Sequence, residues 1–388
     1  MWWGTKRIYL DYASATPVLS EALDAMSEAS EKFGNPGAIH LEGVEAEKSL
    51  QESREKIAFE LSAKAREIVF VSGGTEANNL ATLGFARKLA CQGVALTSTH
   101  WIVSSIEHPS VLECFGEIER LGGQVSHVDP DSRGVITPEA VVQKIKENTV
   151  FISIGLANHE IGVVQPIRDI VRAVREKNPN IVVHVDAGQA PLYLSPQVHT
   201  LDVDLLSLDS GKLYGPRGIG ALYVSNRAEL APILLGGGQE RGLRAGTENV
   251  ALAAGFAAAF VQVSKERNGE TRRLEKMREN FASEILAHIP DAVINADIKR
   301  SLPHILNISI PNIQSEYVTL ALDRAGIAIS TKSACKEGEE RRSHVVDALG
   351  GRDFRAANTL RFSFGRDTSA RDLQKTVAEL VNILAKTK

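Results

Sequence analysis

Short β-branched runs alternate with longer amphipathic stretches along the chain, the pattern of a mostly parallel α/β sheet with helical crossovers. Glu67-Ile68-Val69-Phe70-Val71 reads as a buried strand. Ser72-Gly73-Gly74-Thr75-Glu76 then turns into a helix running through Leu80, Leu83 and Leu89. A second unit predicts a strand over 150–156, a helix over 169–177, and the strand Ile181-Val182-Val183-His184-Val185, which ends on Asp186. Thr137 before Pro138 predicts a helix start, because the hydroxyl accepts an orphan N–H and proline suits the first helical position.

Beyond residue 260 the pattern changes. A long charged helix is predicted over 270–289, with Leu274, Met277, Phe281 and Ile285 on one face. The chain closes with another amphipathic helix, opened by the capping pair Ser369 and Asp372 and burying Leu373, Val377, Leu380 and Leu384. A chain of 388 residues is too long for one compact core. The expected organisation is a large domain over 15–258 and a smaller α+β domain made of 1–14 and 259–388. The apolar stretch 250–263 is Ala-rich, contains Gln262 and is shorter than the roughly 20 residues of a membrane span, so a buried helix is predicted there.

Composition narrows the function. A net charge of -4 gives no basic footprint for a nucleic-acid backbone. The three cysteines, Cys91, Cys114 and Cys335, are far apart and suggest neither a disulfide framework nor a metal site, which fits a reducing cytoplasm. No apolar run follows the basic residues near the N-terminus, so no export signal is expected.

Five places carry candidate chemistry. Ser72-Gly73-Gly74-Thr75 lies between strand and helix, where free N–H groups and the helix dipole favour an anion, and equally reads as a tight glycine connection. Asp186, at a strand's carboxyl end, can pair with a cationic ring nitrogen or cap a helix. Lys212 precedes the glycine-dense Tyr214-Gly215-Pro216-Arg217-Gly218-Ile219-Gly220; it is either a solvated charge or an amine placed to condense with an aldehyde. Cys335 sits in a polar stretch where flanking lysines favour the thiolate, or it is an incidental surface cysteine, whereas Cys114 has core spacing. His108, before Pro109, serves as a helix cap or as a stacking ring.

Taken in order, these segments resemble the cysteine desulfurase family, within the class V aminotransferase group of fold-type I pyridoxal-phosphate (PLP) enzymes. The resemblance rests on Tyr9-Leu10-Asp11-Tyr12, Phe33-Gly34-Asn35-Pro36, Ser72-Gly73-Gly74-Thr75-Glu76, Glu107-His108 and Asn158-His159-Glu160-Ile161-Gly162. It continues through His184-Val185-Asp186-Ala187-Gly188-Gln189, Lys212-Leu213-Tyr214-Gly215-Pro216, Gly236-Gly237-Gly238-Gln239-Glu240-Arg241-Gly242, Ser333-Ala334-Cys335 and Arg361-Phe362-Ser363.

The resemblance implies a PLP cofactor joined to Lys212 as an imine, His108 stacked on its ring, Asp186 at the ring nitrogen and Gln189 at the ring oxygen. Gly74, Thr75 and Asn158 are further expected cofactor contacts, and Thr247 is implied as the contact to a partner subunit's phosphate in a homodimer. Arg361, helped by Asn158 and Asn35, is implied to clamp the substrate carboxylate. Lys212 is implied to shuttle protons while Cys335 takes sulfur from L-cysteine, giving L-alanine and a persulfide for an acceptor protein such as an iron–sulfur scaffold. Selenocysteine lyases and C–S lyases share Lys212 and Asp186 without needing Cys335, and a degenerate scaffold paralogue is a further alternative.

This chain departs from the family at Asp209-Ser210-Gly211-Lys212, where histidine usually precedes the lysine. An anionic Asp209 is expected to turn away from the phosphate, with Ser210 supplying the lost hydroxyl. Lys332 and His159 also replace commoner residues.

Overall fold

The computed structural model describes residues 7–331, 342–351 and 354–387. Its strands are β1 (Ile8–Tyr9), β2 (Ile68–Val71), β3 (His100–Ser104), β4 (Gln124–Val128), β5 (Thr149–Ser153), β6 (Val182–Asp186), β7 (Leu205–Asp209), β8 (Gly220–Val224), β9 (Val293–Ile294), β10 (Ile305–Ser309), β11 (Ile327–Ala328) and β12 (Thr359–Ser363). Seven of them form one sheet in the order β2-β8-β7-β6-β5-β3-β4. The neighbours from β7 through β4 are parallel, while β8 runs antiparallel to both β2 and β7.

Helices cover both faces of this sheet, which is why its central strands are apolar throughout rather than alternating. Along β2, Val69 and Val71 point toward Phe85, Phe115 and Trp101, while Ile68 and Phe70 join the opposite face with Ile102, Val183 and Phe256. The helix Gly74–Cys91 follows β2, and Pro109–Arg120 follows β3 with His108 as its cap. Thr137 accepts from the Ala140 N–H at 3.2 Å, as its position before Pro138 predicts.

The remaining strands lie outside this sheet. β12, β10 and β9 form an antiparallel sheet, on which Phe281 meets Phe362 and Phe364 edge-on at 5.2 and 5.5 Å. Ser369 and Asp372 cap each other's amides at 3.2 and 2.9 Å and open the last helix, Ala370–Thr387. β1 pairs with β11, and the Ala13 N–H donates to Ser363 Oγ at 2.9 Å, so the N-terminal segment is sewn to the C-terminal part.

One difference from the sequence pattern stands out. The two helices predicted over 250–263 and 270–289 are a single helix, Val250–His288. Phe256, Phe260 and Val263 and then Leu274, Phe281 and Ile285 join one core, and across the polar stretch between them Arg267, Thr271 and Arg273 bond to the Pro191, Tyr193 and Thr368 carbonyls. The intervening Gly269 is exposed, so it interrupts no packing and costs only about 1 kcal/mol of helix propensity. We propose the division at 258/259 on the ground that the seven-stranded sheet lies before it and the three-stranded sheet after it, even though this helix passes through. No helix among the described residues is long and apolar enough to cross a membrane.

Candidate active site

The carboxyl ends of β3, β5, β6 and β7 open on one cavity, the place where doubly wound sheets bind ligands. β6 delivers Asp186, and the turn Ser210–Lys212 after β7 delivers Lys212. The segments after β3 and β5 deliver Glu107, His108, Asn158 and His159 to the same cavity. Gly188 and Gln189 complete the wall between Asp186 and Lys212. A Cβ on Gly188 would stand 3.1 Å from Asp186 Oδ1 and 3.8 Å from Lys212 Nζ, so glycine keeps the space between these two groups clear.

Asp186 is held from two sides. Asn78 Nδ2 donates to its Oδ2 at 2.8 Å, and the Gly188 N–H donates to its Oδ1 at 2.8 Å. Asn78 Nδ2 also reaches Ser110 Oγ at 2.8 Å, and that hydroxyl lies 2.8 Å from His108 Nδ1, so carboxylate, amide, hydroxyl and imidazole form one chain. Nδ1 accepts from the Ser110 N–H at 3.1 Å, which places the ring proton of the neutral imidazole on Nε2. Burial, reinforced by the nearby Lys212 cation, lowers the His108 pKa to about 4. Gln189 is buried and donates through Nε2 to the Ala13 carbonyl at 2.7 Å, which leaves its second amide hydrogen for a ligand.

Two further groups face this end. Burial raises the Glu107 carboxyl to about 8, against the opposing donation from the Gly155 N–H at 2.9 Å. His159 stands edge-on to His108 with centroids 5.1 Å apart, and its buried Nε2 has no hydrogen-bond partner. Burial and the surrounding His108, Lys212 and Arg361 drive its pKa well below the usual value.

Arg361, on β12, is buried and approaches from the second sheet. It donates to the His159 carbonyl at 2.9 Å, to Asp11 Oδ1 at 2.8 Å and to Ser14 Oγ at 2.7 Å, while its Nε is buried without a partner. Asn158 is occupied in shaping its own loop: Oδ1 accepts from Glu160 and Ile161 N–H groups at 2.9 Å each, and Nδ2 donates to the Ile106 carbonyl at 2.8 Å. One amide hydrogen remains for a ligand. Asn35 is exposed, caps the Gly37 N–H at 2.9 Å, and is not brought into the cavity wall.

The anion-binding turn departs from the sequence expectation. Asp209 does not turn away. Its Oδ2 accepts from the Gly74 N–H at 3.1 Å, and its Oδ1 accepts from the Gly211 N–H at 2.8 Å. Nor does Ser210 supply a hydroxyl there: it is fully buried, its Oγ has no partner, and it faces Gly215, whose ideal Cβ would stand only 2.2 Å away. Successive residues of an extended strand point to opposite sides, so the end of β7 aims Asp209 at the helix and Ser210 away from it. Thr75 and Thr247 are both exposed.

Cys335 and Lys332 lie outside the described residues. The chain leads into that segment from Ser330, which pairs with the Arg361 backbone at 2.7 and 3.1 Å. It returns at Arg342, and two residues further on His344 Nε2 lies 3.0 Å from the Glu107 carbonyl.

Asn78, which holds Asp186 and Ser110, belongs to none of the motifs in the sequence. Its signal was position: four residues after Gly74 on one helix, it shares the face that looks over the strand ends.

A doubly wound sheet with an acid after one central strand and a lysine after the next defines a fold-type I transferase. The chain belongs to the aminotransferase class-V family, whose model matches residues 8–376, and within it to the cysteine desulfurases. It is 38% identical to the cysteine desulfurase IscS of Dictyoglomus turgidum, covering 98% of this chain and 95% of that one. Among solved structures, a NifS-like protein matches with a TM-score of 0.91 at 32% identity, covering 98% of this chain and all of the other. SspA, solved in complex with cysteine, matches with a TM-score of 0.79 at 35% identity over 92% of this chain and 99% of that one.

Proposed function

We propose that this protein is a PLP-dependent cysteine desulfurase that converts L-cysteine to L-alanine and passes sulfur through a persulfide on Cys335 to an acceptor protein. The observation that carries the reading is the meeting of Asp186 and Lys212 across Gly188, in a cavity whose Glu107 is bonded by His344, from the chain just after the Cys335 segment. SspA's bound cysteine supports the substrate.

The donor set at this end fits the cofactor's ring. Asp186 offers a carboxylate oriented by Asn78 to a ring nitrogen, Gln189 offers an N–H to a ring oxygen, and neutral His108 offers a face for stacking. Bound there, PLP supplies an electron-accepting ring that lowers the barrier to losing the substrate's α-proton. Lys212 holds the cofactor and moves that proton. Arg361, aimed through an unpaired Nε, binds the substrate carboxylate, with the last N–H of Asn158 beside it. The Cys335 thiolate attacks the substrate sulfur, so that an S–S bond forms as the Cβ–S bond breaks, and the Cβ left behind takes up a proton to give alanine. The exposed apolar run Phe33, Ile39, Leu41 and Val44 supports a homodimer in which Asn35 and Thr247 act across the interface. Well-separated cysteines support a reducing, cytoplasmic setting, and IscS-type relatives support an iron–sulfur acceptor.

Alanine and sulfide release from L-cysteine under a thiol reductant tests this reading, with Cys335→Ser as the control. The wild type is expected to turn over repeatedly and the variant to lose multiple turnover. Equal turnover by the two would overturn the persulfide route.

A further inference from the structure

The start of the helix Gly74–Cys91 is where the cofactor's phosphate is expected, and Asp209 already takes its first N–H, while Glu76 takes the Ser72 N–H just before the helix. Glu76 Oε2 accepts from the Ser72 N–H at 2.6 Å, and its Oε1 accepts from Arg244 Nε at 3.0 Å. The Gly74 N–H is taken by Asp209 Oδ2, from a strand 135 positions further along the chain. An ideal Cβ on Gly74 would stand 3.2 Å from that oxygen and 3.3 Å from Asp209 Cβ, so the carboxylate lies directly against the helix start. Asp209 has no cationic partner among the described ion pairs, and both of its oxygens are engaged by backbone N–H groups. Its neighbours cannot take over a phosphate: the Ser210 hydroxyl faces Gly215, and Gly211 has no side chain.

We propose that Asp209 is a specificity-determining residue that competes with the cofactor's phosphate for the Gly74 N–H, so that the phosphorylated aldehyde binds only by displacing it. This rests on the cofactor reading above and goes beyond it. A helix start favours an anion through its free N–H groups and its dipole. An aspartate supplied by the protein satisfies that preference in advance, and an incoming dianion meets a like charge at the same place. The ring end keeps its hydrogen bonds, because Asp186, Asn78 and Gln189 make their contacts without Asp209. Phosphate therefore adds little to the affinity of the aldehyde in this protein, and removing the Asp209 charge makes it add more.

The experiment is equilibrium dialysis of the full-length apoprotein against PLP and against pyridoxal, for the wild type, Asp209→Asn and Asp209→Ser. Melting temperatures are recorded alongside, and Asn retains an acceptor for the Gly211 N–H should Ser fold poorly. PLP affinity is expected to rise at least about tenfold, or ~1.4 kcal/mol, in the variants while pyridoxal affinity stays within about twofold. Unchanged or weaker PLP binding in a folded variant would overturn the inference, as would an equal gain for both aldehydes. If no form binds either aldehyde, the cofactor reading itself falls; if the wild type binds and the variants match it, only the role of Asp209 falls.

Discussion

The two ends of the cavity are built on opposite principles. At the ring end, Asp186, Asn78, Ser110 and His108 are linked at 2.8 Å spacings, and each group is fixed by another before any ligand arrives. At the phosphate end, Asp209 takes the first N–H of the helix, which an incoming anion would use, and Glu76 takes the Ser72 N–H just before it. One end is preorganised for its ligand and the other is preorganised against it. Fold-level likeness therefore guarantees the chemistry at the strand ends more firmly than it guarantees the anchor beside them, because the reaction depends on the first and only retention depends on the second.

Substitutions at the ring end should break function in a graded order. Lys212→Ala removes the group that holds the cofactor and moves the proton, and should lower kcat by about 10³-fold or more in an alanine-release assay. Asp186→Asn keeps the shape but loses the charge facing the ring, and should lower kcat by about 10²-fold. Asn78→Ala leaves Asp186 short of one hydrogen bond, worth ~1.4 kcal/mol, and should lower kcat about tenfold. Because Asn78 acts through Asp186, its loss should also alter the pH dependence of the cofactor's visible band, which a purely structural effect would leave unmoved.

The smallest expected effect is on stability. Burial holds the Glu107 carboxyl at about 8 against an ordinary 4.5, so the folded protein keeps it protonated where the unfolded chain has ionised it. Its contribution is fully present below about pH 4.5 and is lost as pH rises toward 8. His108, lowered to about 4, acts in the other direction, contributing stability that is lost as pH falls below 6.5. Glu107→Gln should therefore gain on the wild type as pH rises from 5 to 8, measured by denaturant unfolding at both pH values. A constant difference between the two proteins would contradict the assignment.

Much of the ring end was legible because its residues sit where apolar runs stop. Asp186 ends a strand of buried valines, and a carboxylate ending such a run points to a sheet's carboxyl edge. The Ser369–Asp372 and Thr137–Pro138 signals mark real helix starts, because capping is a local interaction. The single helix Val250–His288 was not legible, since the polar stretch 264–273 breaks the apolar pattern while its side chains bond to backbone carbonyls instead. Charge alone suggested that Asp209 would turn from the phosphate seat, whereas the fold brings a distant N–H to it. Strand alternation at Asp209 and Ser210 carried the signal for which of the two faces the helix. Arg361 was recognised by motif, but its approach from the second sheet, bonded to Asp11 and Ser14, depends on contacts far apart in sequence.

The most direct test of the central claim is the absorption spectrum of the purified protein with added PLP, followed by borohydride reduction and peptide mapping. The account predicts a yellow protein whose cofactor is fixed by reduction to the peptide containing Lys212. A colourless protein in excess PLP, or label on another lysine, would contradict it.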